Sequence, residues 1–194
     1  MPMMARLRYL ALKAQVIVLL QLSARAAIER CLDRLIAEFP GDDYALATRV
    51  HLLAQDGDRP GALRGLQALV AAFPQKAAHW FNLAFLLEDL ERYAEAEPAF
   101  RRATELDPAL DRAWYGLGLV LIRLERFDEA VAALKQNTRL QPMSPYGWYQ
   151  LARVHMDRQD PDEARRIIRH LQRFEPKVAA QLERETGLVV APAG

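Results

Sequence analysis

The chain of 194 residues sets 26 Lys and Arg against 25 Asp and Glu, for a formal net charge of +1, with 52% hydrophobic residues and one cysteine. So even a balance leaves no basic footprint of the kind that dominates nucleic-acid binding. A lone Cys31 excludes an intrachain disulfide and any multi-cysteine metal site; in its apolar helical context it reads as a packing residue in a reducing compartment.

Residues 1–8 are a short basic start, expected to fray. Residues 9–22, YLALKAQVIVLLQL, form the most hydrophobic window. A membrane span needs ~20 apolar residues, and this shorter stretch includes Lys13, Gln15 and Gln21, so no integral span is expected. Three readings compete. The window is a buried first helix; or a secretory signal, with Arg6 and Arg8 before it and Ser23-Ala24-Arg25-Ala26 after it; or a membrane-peripheral anchor. The first is preferred because Phe39-Pro40 precedes Phe73-Pro74 by 34 residues, an interval that runs through the window unbroken.

That interval organises the rest. Residues 9–42 make a degenerate first repeat, with Leu32 and Leu35 on its second helix. Residues 43–76 make the second, turning at Asp56-Gly57-Asp58-Arg59-Pro60-Gly61. In 77–110, helices are expected near 77–90 and 93–106, with Pro98 read as marking a late start of the latter. Residues 111–144 turn at Leu124–Asp128. Residues 145–178 open with Ser144 as N-cap and Pro145 as first helical residue, and reopen with Asp160 and Pro161 in the same roles. Residues 179–187 close the array as an amphipathic helix, begun by Lys177 and stopped at Gly187. Residues 188–194 are expected to be a flexible tail.

Trp80, Trp114 and Trp148 recur every 34 residues, as do Leu83, Leu117 and Leu151; Ala84, Gly118 and Ala152; Ala96, Ala130 and Ala164; and Pro108, Pro142 and Pro176. Trp114, Leu117, Gly118 and Leu121 share one helical face. The small residues are expected to let paired helices approach closely, and the tryptophans to fill the wedge between neighbouring repeats. Trp114, Leu117, Gly118, Leu121, Ala130, Leu134 and Pro142, preceded in register by Trp80, Leu83, Ala84, Leu87, Ala96, Phe100 and Pro108, resemble the tetratricopeptide repeat (TPR) family. The resemblance implies an all-α fold: a right-handed α-solenoid of stacked helix-turn-helix repeats with a C-terminal capping helix.

It also implies where to look for function, because the family's first helices line a concave groove. The exposed sides of those helices nominate Phe81, Asn82, Phe85, Arg112, Tyr115, Leu119, Arg123, Tyr149, Gln150 and Arg153. Aromatic anchors among amides and arginines suit an extended or helical peptide. The family's carboxylate clamp, mapped in frame, finds Asn82 and a basic near-match in Arg112. Ala47, His51 and Gly116 mismatch, so a clamp is not expected. Arg165, Arg166, Arg169 and Arg173 read as a solvated outer face paired with acids such as Asp162 and Glu163.

No catalytic motif is present. His51, His79, His155 and His170 form no zincin pair, and there is no phosphate loop or nucleophile elbow. The acid pairs Glu88-Asp89 and Asp128-Glu129 are read as helix-capping charges. The expectation is a non-catalytic adaptor without cofactor or metal that binds another protein or peptide segment. It would bind no nucleic acid, and peripheral membrane association ranks below the protein partner. Its expected location is cytoplasmic, with a periplasmic or envelope location through residues 9–22 as the alternative. A permanent subunit or assembly factor, using the convex face or the apolar N-terminal helix, is the second functional reading.

Overall fold

The computed structural model describes residues 3–191. Their regular structure is helical throughout: α1 (Met3–Gln21), α2 (Arg25–Glu38), α3 (Asp43–Gln55), α4 (Arg59–Ala72), α5 (Ala77–Asp89), α6 (Tyr93–Leu106), α7 (Asp111–Arg123), α8 (Phe127–Leu140), α9 (Pro145–Asp157), α10 (Pro161–Gln172) and α11 (Pro176–Thr186). The chain forms two compact units, Met1–Pro74 and Gln75–Gly194. In the first, α1 packs on α2 and α3 on α4. In the second, α5–α6, α7–α8 and α9–α10 are pairs, each pair packs on the next, and α11 lies against α10 and α9.

The pairs close because the sequence places small or apolar side chains where helices cross. Ala62, Ala96, Ala130 and Ala164 are each fully buried, as are Ala84 and Ala152. At Gly118 a Cβ would come within 2.7 Å of the buried Leu134 side chain, so α7 and α8 approach more closely than an alanine there would allow. Around these seams Phe100, Leu121, Leu134, Leu151, Ile168, Leu171 and Leu182 fill the second unit, each worth about 1.5–3 kcal/mol on burial. In the first unit Leu12, Val16, Ile28, Leu32 and Leu35 do the same. Cys31 is buried with them, its thiol 3.6 Å from the Leu12 carbonyl; burial raises its pKa, which suits an inert packing role.

Each pair turns through one backbone device. Ser23, Gly57, Glu91, Glu125 and Gln159 have φ between +52° and +79°, and they sit 34 residues apart. At the turn between α7 and α8, the Glu125 N–H donates to the Ile122 carbonyl and the Arg126 N–H to the Leu121 carbonyl; the other four turns repeat both bonds. This is the Schellman arrangement, in which a left-handed residue lets the last helical carbonyls be satisfied. Only Gly57 is the residue type that adopts it without steric cost.

The indole N–H groups of Trp114 and Trp148 donate to the Pro108 and Pro142 carbonyls at 3.0 and 2.9 Å. Both rings are half-buried, and they fasten the loop that enters their own helix as well as packing beside it. His155 is 3% exposed, with Nδ1 3.2 Å from Asp160. Burial holds its pKa below the ordinary value, outweighing the pull of the Asp160 carboxylate.

Several expectations are corrected. Residues 3–8 are not frayed but begin α1. Pro98 does not delay α6, which starts at Tyr93 and contains it. Pro98 and Ala94 are both exposed, so water can reach the carbonyl that the missing N–H leaves unbonded. Ser144 precedes α9, but its side chain makes no capping bond; Asp42, Asp58 and Asp160 do cap their helices. The described part of the tail is anchored at alternate residues, with Val189 exposed between them. Leu188 and Val190 are buried, the Gln172 amide donates to the Val190 carbonyl, and the Val190 N–H donates to Glu183, both at 3.3 Å. Residues 192–194 lie outside the described residues.

Two outcomes follow for stability. Glu125→Gly relieves a left-handed residue and should stabilise by up to about 1 kcal/mol, while Gly57→Ala should cost about 1 kcal/mol, both read from urea unfolding midpoints. His155, depressed when folded, takes up its proton first in the unfolded chain. Its contribution to stability is therefore intact above about pH 6.5 and lost as pH falls below it. Midpoints measured across that range should decline on acidification, and His155→Gln should flatten the slope.

Candidate functional site

The nominated side chains lie on α5, α7 and α9 of the second unit. These helices contribute them because their other faces, carrying Leu83, Leu117 and Leu151, are committed to the core. Phe85 projects with 59% of its surface exposed. It stacks on Phe81 at 6.2 Å between centroids, and Phe81 in turn meets the buried Phe100 edge-on at 6.1 Å. The Arg112 guanidinium lies 5.1 Å from the Phe81 ring centroid. Phe81 is thus half packing residue and half surface, and Asn82 is exposed beside it.

A second cluster forms further along the same helices. Leu119, Ile122 and Arg123 of α7, Gln150, Arg153 and Asp157 of α9, and Glu88 of α5 line a hollow of about 270 Å³. Burial raises the Glu88 pKa, the neighbouring Asp89 adds to this, and Arg123 opposes it. Glu88 and Asp89 close the C-terminal end of α5, where a negative charge does not complement the helix dipole. The capping explanation for that pair therefore fails. It holds better for Asp128 and Glu129, in the first turn of α8. Tyr115 is half-buried; burial raises its pKa, and a hydrogen bond with Gln150 works in the opposite direction.

A third group belongs to α9 and α11. Tyr149 donates to Glu185 at 2.6 Å, a bond that raises the phenol's pKa and lowers that of the carboxyl. Arg153 lies 5.8 Å from the Tyr149 ring centroid. Together with Met156, Asp157 and Thr186 these residues line an open hollow of about 490 Å³. Arg153 and Asp157 border both hollows.

The structure therefore distributes the nominated residues rather than gathering them at one point. Phe81, Phe85 and Arg112 form an aromatic–cation cluster. Leu119, Arg123, Gln150 and Arg153 share a hollow, and Tyr149 opens the next one. Sequence reasoning left Glu88, Asp157 and Glu185 out of the set. The sequence places Glu88 on the exposed side of its helix with Phe81 and Phe85 but also offers it a capping role, and Glu185 reaches Tyr149 from a helix that departs from the repeat pattern. At the clamp mismatch, Gly116, a Cβ would lie 2.4 Å from the Phe100 ring, so that position is taken up by packing. On α10, Arg165 and Arg166 pair with Asp162 and Glu163. Among the described residues no group of three or more His, Cys, Asp or Glu could hold a metal ion.

The tetratricopeptide repeat profile matches residues 47–111, 86–145 and 115–179, more than half of the chain. No curated protein matches it significantly by sequence. Among solved structures, MamA has a TM-score of 0.74 at 17% identity, over 95% of this chain and 98% of that one. A MamA fragment from Desulfovibrio magneticus RS-1 has a TM-score of 0.74 at 19% identity, over 91% and 96%. YrrB, described as a TPR protein with an unusual peptide-binding site, has a TM-score of 0.76 at 16% identity, over 87% and 88%. At these identities the likeness concerns the fold.

The two stacked phenylalanines separate packing from surface. Phe81→Ala should lower stability by about 2 kcal/mol, since its contact with Phe100 is lost. Phe85→Ala should stay within about 0.5 kcal/mol of the parent. Chemical denaturation of both variants gives the comparison.

Proposed function

Because the chain belongs to the tetratricopeptide repeat family, whose members are generally non-catalytic scaffolds, we propose that it binds a protein or peptide segment along the face formed by α5, α7 and α9. The supporting observation is that α5, α7 and α9 together carry the exposed Phe85 ring, the Arg112 guanidinium against Phe81, and open hollows bordered by Arg123 and Arg153. Aromatic and arginine side chains are enriched in protein interfaces and among the few residues that dominate their binding energy. Here their helices are already anchored by core residues, so the face loses little freedom when a flexible segment docks. Recognition is an equilibrium event, and no bond is made or broken. YrrB, a relative in fold whose description names a peptide-binding site, adds support for the class of ligand but not for the residues.

The cations favour a segment carrying carboxylates beside an apolar anchor. Arg123 is shared with Glu88, whereas Arg112 rests on an aromatic ring, which leaves its guanidinium edge able to donate to a carboxylate.

A displayed random-peptide library selected on the intact chain, followed by calorimetry with the enriched peptides, tests this. Combining Phe85→Ala with Arg123→Gln should weaken binding at least tenfold, equivalent to about 1.4 kcal/mol, with the unfolding midpoint nearly unchanged. Undiminished binding by that variant would move the ligand off this face.

A further inference from the structure

We propose that α1 lies on the surface of an anionic lipid bilayer, its outward apolar stripe among the acyl chains and its basic borders against the headgroup phosphates. The helix is apolar on two opposite sides. One side packs inward through Leu12 and Val16, which are 4% and 0% exposed. On the other, a step of 100° per residue places Ile17, Leu10, Met3, Ala14, Leu7 and Val18 side by side across an arc of roughly 100°. Leu10, Leu7 and Val18 are 51%, 57% and 56% exposed. Ala11, Met4 and Leu22 extend the arc, and Gln21 is the one polar residue within it.

Isolated exposed apolar residues are ordinary, but a continuous stripe is not. The exposed positions Gln181, Arg184 and Glu185 of α11 are polar, whereas those along this side of α1 are apolar.

Charge identifies the occupant. The same helical geometry puts Arg6 and Lys13 along one border of the stripe and Arg8 along the other. No Asp or Glu precedes Glu29. Lys13 donates to the Tyr9 hydroxyl at 3.2 Å and lies 4.6 Å from the Tyr44 ring centroid, so its ammonium is held at the border. Arg6 has no ion-pair partner among the described residues. Glu38 pairs with Arg8 at 2.9 Å, and Asp42 accepts from Tyr9 and caps α3, so the charge left for phosphates is on the Arg6 and Lys13 border. A second copy docked stripe to stripe would bring cation borders together with no carboxylate on α1 to meet them. An anionic lipid surface satisfies both features at once, because basic side chains at the edge of an apolar face extend to the phosphates while the face sinks ~5–10 Å. No helix among the described residues is long and apolar enough to cross a membrane, so the contact is peripheral.

Flotation of the intact chain with vesicles tests this, using phosphatidylcholine alone or mixed with phosphatidylglycerol. The chain should float with the anionic vesicles, weakly with the neutral ones, and less as salt is raised. Leu7→Glu with Val18→Glu should abolish flotation while helicity by circular dichroism is unchanged. Arg6→Gln, which leaves the stripe intact, should weaken binding to anionic vesicles about fivefold. The proposal is overturned by absence of flotation with anionic vesicles, by equal binding to neutral ones, or by undiminished binding of the double variant. It is also overturned if the parent forms a dimer that the double variant does not and neither binds vesicles, since the stripe then serves a second copy.

Discussion

The close approach of the two helices within each pair is the constraint on which the rest of the molecule depends. Ala62, Ala96, Ala130 and Ala164 have no exposed surface, and any larger side chain at these seams would push the helices apart. Once the crossing is fixed, the turn must reverse the chain within very few residues, and the left-handed residue of the Schellman arrangement does so. The backbone accepts a non-glycine residue there in four of five turns, Ser23, Glu91, Glu125 and Gln159. Packing across the seam evidently outweighs a local cost of about 1–2 kcal/mol per turn.

Polar ties in the second unit hold one pair in register with the next. Glu97 and Glu129 are bridged by both Arg101 and Arg126, a closed ring of four charges drawn from α6, the α7–α8 turn and α8. Within the α7–α8 pair, Asn137 of α8 donates its side-chain amide to the Asp111 carbonyl at the start of α7, at 3.0 Å. Partly exposed ion pairs are each worth little. A ring differs from an isolated pair because each side chain is already ordered by one partner when it meets the next. Its main effect is to restrict sliding between helices that apolar contacts alone would permit.

The 34-residue interval made the helix pairs legible, because identical packing demands at each seam leave identical residues. What escaped the sequence had no such periodic demand. Pro98 suggested a delayed helix because its missing donor is visible in sequence, whereas exposure of the freed carbonyl is not. Leu188 and Val190 pack against the end of the chain's last helices, a contact made once and therefore without a repeat to announce it. Glu185 reaches Tyr149 for the same non-periodic reason. Residues 9–22 were readable as apolar, but a continuous run does not say how many of its faces are covered. Only the placement of α2 separates Leu12 and Val16 from Leu7 and Val18.

The candidate face is supported from below by a glycine. Gly116 is one of the positions at which the family's carboxylate clamp fails to map, and the structure gives a positive reason for the residue. The Phe100 ring occupies the space a Cβ would need. Phe100 is fully buried, and its ring supports the edge of Phe81. Phe81 supports the stacked, exposed Phe85 on one side and the Arg112 guanidinium on another. A side chain at position 116 long enough to serve a clamp would have to displace Phe100, and with it the aromatic platform. On this chain a basic clamp residue at 116 and the Phe81–Phe85 stack are therefore mutually exclusive uses of the same volume, and the core packing has decided between them.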